Sequence, residues 1–98
     1  MHIAQWTPVI APTGLAFHSG TGFGAPYTDN LFVLGYVDAD LRRLVVSGPA
    51  LTDLDSESPF ARWNDDGGVS QKPLDIVEGP GGDLYVSTFS TIWRIYRY

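Results

Sequence analysis

The residues able to do chemistry in this chain are few and scattered. Lys72 and Asp75 stand in "KPLD", at the start of an alternating apolar run. A cation and a carboxylate placed there could grip a polar ligand, or could pair locally and satisfy loop backbone. Asp53, Asp55 and Glu57 alternate in "LTDLDSESP". Calcium takes carboxylates from such loops, but the glycine and distal glutamate of an EF-hand are missing, so a solvated acidic loop is expected. "NDDGG", at 64–68, has the composition of a turn before that of a metal site. His2 and His18 are the only histidines, and no cysteine stands by to complete a zinc site. Trp63, beside Arg62, Asn64 and Asp65, is the best sugar-stacking candidate, whereas Trp93 sits in a strand motif and is expected to pack.

Several function classes are excluded at this level. No Gly-x-Ser-x-Gly, His-Glu-x-x-His or phosphate-loop pattern occurs. "GTGFG", at 20–24, lacks the spacing and the following helix of a dinucleotide loop. Lys and Arg number six against eleven acidic residues, for a net charge of −5. No basic stripe is available for nucleic acid or for an anionic membrane surface. The absence of cysteine removes disulfide and thiol chemistry and leaves the compartment open. "MHIAQWTPVI" lacks the basic start and apolar core of a signal peptide. No apolar run approaches the roughly 20 residues of a membrane-spanning helix.

Short strands must position these side chains. Eleven Gly and seven Pro interrupt the chain too often for a long helix, and aromatic and β-branched residues fill the gaps. Strands are expected at 14–18, 30–36, 41–47, 74–78, 83–87 and 91–97, with a weaker one near 51–54 and an edge strand over 5–10. "EGPGGDL" should close a tight hairpin, since glycine takes positive φ at no steric cost. "VDAD" should form a short acidic turn.

The pattern then repeats. Pro12, Leu15, Asn30-Leu31-Phe32-Val33 and Leu41-Arg42-Arg43-Leu44-Val45 recur in order as Pro73, Ile76, Asp83-Leu84-Tyr85-Val86 and Ile92-Trp93-Arg94-Ile95-Tyr96. Each unit takes about half of the 98 residues, near the roughly 40–50 of a β-propeller blade. The expected fold is all-β: one unit of two four-stranded propeller blades, the first over about 1–54 and the second over about 55–98. Linking segments would supply each fourth strand.

At this point the sequence resembles a known family. "IAPTGLAFHSG", "FGAPYTDNLFV" and "KPLDIVEGPGGDLYVSTFSTIWRIYRY" are similar to the late blades of soluble quinoprotein glucose/sorbosone dehydrogenases. The resemblance implies a six-bladed propeller that binds pyrroloquinoline quinone and calcium and oxidises sugars. It also locates departures. The family's catalytic histidine belongs to an earlier blade, and its role does not transfer to His18. Lys72 stands for an arginine, Leu74 for a second cofactor-contacting arginine and Gly81 for an aspartate. The framework is kept while most anion-binding side chains are not, so neither quinone nor calcium is expected unless the family activity survives.

Two blades cannot close a ring, since propellers need roughly four to eight. The expected partner is therefore the chain itself, as a homotrimer of six blades, with the segment "AQWTPVI" available for strand exchange. Three functions remain in play: a non-enzymatic assembly or ligand-binding module, a degenerate or fragmentary quinone-dependent sugar oxidoreductase, and a lectin-like unit. The candidate ligand residues are Lys72, Asp75, Trp63 and Arg62, for a sugar or another small polar molecule.

Overall fold

The computed structural model describes residues 4–8, 10–18, 27–48, 53–63 and 72–96. Among them are seven strands and no α-helix: β1 (Pro12–His18), β2 (Asn30–Gly35), β3 (Asp40–Ser47), β4 (Asp53–Arg62), β5 (Asp75–Glu78), β6 (Leu84–Ser87) and β7 (Ile92–Ile95). They form two antiparallel sheets in simple meander order, β1-β2-β3-β4 and β5-β6-β7. These are two blades of a β-propeller.

The turns follow from their residues. In the β5–β6 hairpin Gly82 takes φ 88°. Its N–H donates to the Gly79 carbonyl, and the Gly79 N–H donates to the Asp83 carbonyl. The β2–β3 turn spans the expected "VDAD", with Ala39 donating back to Tyr36.

Two expectations are corrected. The acidic segment from Asp53 is not a loop but the start of β4, an outer strand that pairs with β3 along its length. The first sheet thus runs to Arg62, past the boundary expected near residue 54. The paired backbone of β3 decides this: its outer hydrogen-bonding groups need partners whatever the side chains of the next strand are. Conversely, the edge strand expected over 5–10 does not form at the described residues 5–8 and 10. Trp6 and Ala4, both half-buried, instead pack against Leu31, Val33 and Leu44, so apolar contact takes the place of strand pairing.

The repeat is visible in the polar contacts as well as in the strands. Arg43 Nε donates to Asn30 Oδ1 at 2.6 Å, and Arg94 Nε donates to Asp83 Oδ2 at 2.7 Å. These are equivalent positions of the two units, so each blade carries the same clip between its second and third strands. A tyrosine ring covers each guanidinium, Tyr27 at 4.3 Å and Tyr96 at 4.6 Å.

The blades stack front to back. The front of a blade carries Gly14, Ala16, Phe32, Leu34 and Leu41 in the first and Asp75, Val77, Tyr85, Ser87 and Ile92 in the second. The back carries Leu15, Phe17, Leu31, Val33 and Leu44 in the first and Ile76, Leu84, Val86 and Ile95 in the second. These faces follow from strand pairing, because paired residues point the same way and successive ones alternate. The main core forms where the first front meets the second back: Phe32, Leu34, Leu41, Ile76, Leu84 and Val86 are buried together, with Ile95 and Phe60 against them. Gly14 allows a close approach, since a β-carbon there would lie 3.4 Å from Asp75 Cα.

Candidate functional site

Three of the four candidate ligand residues gather around the β2–β3 turn. Lys72 Nζ donates to the Val37 carbonyl at 2.8 Å and lies 5.8 Å from the Tyr36 ring. Trp63 donates its backbone N–H to the Ala39 carbonyl at 2.8 Å. Arg62 stands opposite Asp40 in the β3–β4 register. Turn residues 36–39 thus receive support from the second blade and from the end of β4.

Trp63 is placed otherwise than its polar neighbours suggest. Its side chain is part of the core between the blades and only 9 % exposed. A stacking platform needs a free aromatic face, and this indole has none to offer a sugar. Asp75 lies apart, exposed on the front of β5, with Oδ1 accepting from the Ile76 N–H.

The strongest electrostatic feature was not foreseen from the sequence. Arg42 is gripped by three carboxylates: Asp38 at 2.8 Å, Glu57 at 3.1 Å and Asp40 at 3.2 Å. The Asp40 contact runs from Nε to Oδ2 as charge attraction, off the line of a hydrogen bond. The other Asp40 oxygen, Oδ1, is buried over Gly35 without a hydrogen-bond partner. Burial pushes the Asp40 carboxyl above its usual range, opposed mainly by the charge of Arg42. Burial would lower Arg42, but Glu57 and Asp40 outweigh it and hold the guanidinium more firmly charged. Asp40, Arg42 and Pro59 to Arg62 border an open depression of about 470 Å³. The cluster could meet a polar ligand only at its Arg62 rim, because Arg42 is already engaged on every side.

His18, buried completely, sits at the opposite end of the joint between blades. Nε2 lies 2.7 Å from the Gly82 carbonyl and 3.8 Å from Glu78 Oε2, and Nδ1 lies 3.2 Å from the Tyr27 carbonyl. It ties the β5–β6 turn to the first blade. His2, Asn64–Gly68 of "NDDGG" and the glycine-rich stretch 20–24 lie outside the described residues.

The residues present do not suit the cofactors that the resemblance implies. A quinone carrying carboxylates needs free cations, yet Lys72 is spent on a backbone carbonyl and Leu74 is uncharged. Asp53, Asp55 and Glu57 alternate along β4, so strand geometry spaces them by about 6–7 Å. One calcium ion needs its oxygens at about 2.3–2.6 Å. Asp55 accepts instead from Ser47, and Glu57 from Arg42. Among the described residues no cluster of acidic, histidine or cysteine side chains could hold a metal ion. None of the described helices is long and apolar enough to cross a membrane, the described residues containing no α-helix at all.

Comparison with known proteins agrees with the fold. No family model matches the sequence, and no curated protein does either. A crystal structure of a glucose dehydrogenase is similar, with a TM-score of 0.71 at 21 % identity. The similarity covers 92 % of this chain and 24 % of that one. The chain therefore has the architecture of part of that enzyme and spans about a quarter of its length.

Proposed function

We propose that this chain is a propeller module that works by assembly, two blades joining further copies of the same chain into a closed ring. A homotrimer would supply six blades. One observation carries the reading. The front of the second blade and the inner edge of the first blade's back are apolar and open, with Ile92 70 %, Val77 61 %, Leu15 63 % and Phe17 45 % exposed. Scattered exposed apolar residues are ordinary, but grouped on two sheet faces they mark an interaction surface.

Light scattering on the purified chain tests the proposal. A mass three times that of one chain supports it, and a single-chain mass at high concentration overturns it.

The likeness to a glucose dehydrogenase favours a second reading, a degenerate or fragmentary quinone-dependent sugar oxidoreductase. Dye-linked sugar oxidation after addition of pyrroloquinoline quinone and calcium tests it. The engagement of Lys72 and the uncharged Leu74 support assembly over this reading. A lectin-like role resting on Trp63 has no exposed indole face to support it.

A further inference from the structure

The joint inside the chain contains instructions for a joint between chains. Where the blades meet, Ile76 from the back of the second blade reaches the front of the first beside Gly14 and Leu34. A β-carbon on Gly14 would lie 3.4 Å from Ile76 Cγ2 and 3.3 Å from Leu34 Cδ1. Ile76 is 6 % exposed there. Its counterpart in the first unit is Leu15, 63 % exposed on the first blade's back. The counterparts of Gly14, Leu34 and Leu41 in the second unit are Asp75, Ser87 and Ile92. With Val77 and Tyr85 they border a depression of about 240 Å³ on the second blade's front.

Building on the assembly reading, we propose that Leu15 of one copy seats in the depression bordered by Asp75, Val77, Tyr85, Ser87 and Ile92 of the next. The contact is head-to-tail and continues the interface already present within the chain. Because it uses two different faces, it propagates until a ring closes.

One detail of packing agrees, the wedge shape of a blade stack, which widens away from the inner strands. Within the chain Trp63, Phe60 and Tyr27 fill the wide side. On the first blade's back Trp6 lies over Leu31, Val33 and Leu44 while leaving Leu15 and Phe17 open. Trp6 thus stands as the filler of the second joint.

The test uses two variants, each defective in one face. Leu15→Asp spoils the back and leaves the front intact; Ile92→Asp does the reverse. Both sites are exposed, so circular dichroism should report an unchanged fold for each. Light scattering should give a single-chain mass for each variant alone. An equimolar mixture should give the mass of two chains and no more, because one intact joint forms between unlike copies. Since the chain lacks cysteine, Leu15→Cys mixed with Ser87→Cys should also yield a disulfide-linked pair on oxidation, and either alone should not yield one of that yield. Wild-type assembly that survives in both aspartate variants, with no cross-link in the cysteine mixture, overturns this joint and leaves assembly through another surface standing. A single-chain mass for the unaltered protein assigns both faces to other blades and overturns the joint and the assembly reading together.

Discussion

The Nε2 nitrogen of His18 lies 2.7 Å from the carbonyl oxygen of Gly82, across 64 residues of chain. A carbonyl oxygen can only accept, so Nε2 carries the hydrogen. This bond fastens the tip of the β5–β6 hairpin to the end of β1, in a place without solvent. It makes His18 a structural residue of the joint between blades.

Replacing His18 with Ala should therefore cost about 2–4 kcal/mol, combining a buried acceptor left without its donor with a cavity in the core. Urea unfolding of His18→Ala measures the loss. His18→Gln, which keeps a donor, should recover part of it. Equal losses for the two variants would mean that volume alone matters there.

Gly35 faces Asp40 in the β2–β3 pairing, and a β-carbon on Gly35 would run into the Asp40 carboxylate. Gly35→Ala should be destabilising by about 1–3 kcal/mol through overpacking. The double variant Gly35→Ala/Asp40→Ala should lose less than the sum of the single losses. A double-mutant cycle in chemical denaturation gives the coupling, and strict additivity would contradict the contact.

Asp40 also gives a pH dependence whose sign is fixed. Its folded-state value lies above the ordinary one because of burial, so the folded protein binds this proton more tightly than the unfolded chain. The Asp40 contribution is therefore most favourable under acid conditions and falls as pH rises through the folded-state value. Asp40→Asn removes that decline. The stability of the variant relative to wild type should increase as pH rises from below the ordinary carboxyl range, measured by unfolding at a series of pH values. A constant or decreasing difference would reverse the assignment.

Trp63→Ala should cost about 3–5 kcal/mol as a large-to-small change in the core. Thermal or urea unfolding reads the effect. Trp63→Phe should recover most of the stability, as expected of a packing residue.

Much of this fold is legible in the sequence because most strands alternate against a buried face. β1, β3, β5 and β6 announce themselves in that way, β2 as an apolar run buried throughout and β7 through its repeat of the β3 motif, and "EGPGGDL" fixes its hairpin by glycine alone. β4 does not. Its first half, from Asp53 to Glu57, is exposed, so backbone pairing rather than alternation makes it a strand. The same blindness hides the Arg42 cluster. Asp38 is four residues away, but Glu57 arrives only through the β3–β4 register. Arg62 and Trp63 show the opposite difficulty. Adjacent in sequence and similar in promise, they diverge because the chain leaves β4 between them: Arg62, its last residue, is exposed, while Trp63 just beyond it packs into the core.

The polar character of β4 has a consequence for how copies can meet. A strand at the rim of a sheet invites pairing with another rim, the usual start of disordered aggregation. Here the rim begins with Asp53, Asp55 and Glu57, all exposed. Two such rims brought together would set carboxylates against carboxylates. Side-by-side growth of first blades is thereby discouraged, while Leu15 and Phe17 on the back and Val77 and Ile92 on the front stay open to apolar contact. The acid row works as a fender: it turns one copy away from another's rim and leaves contact to the faces.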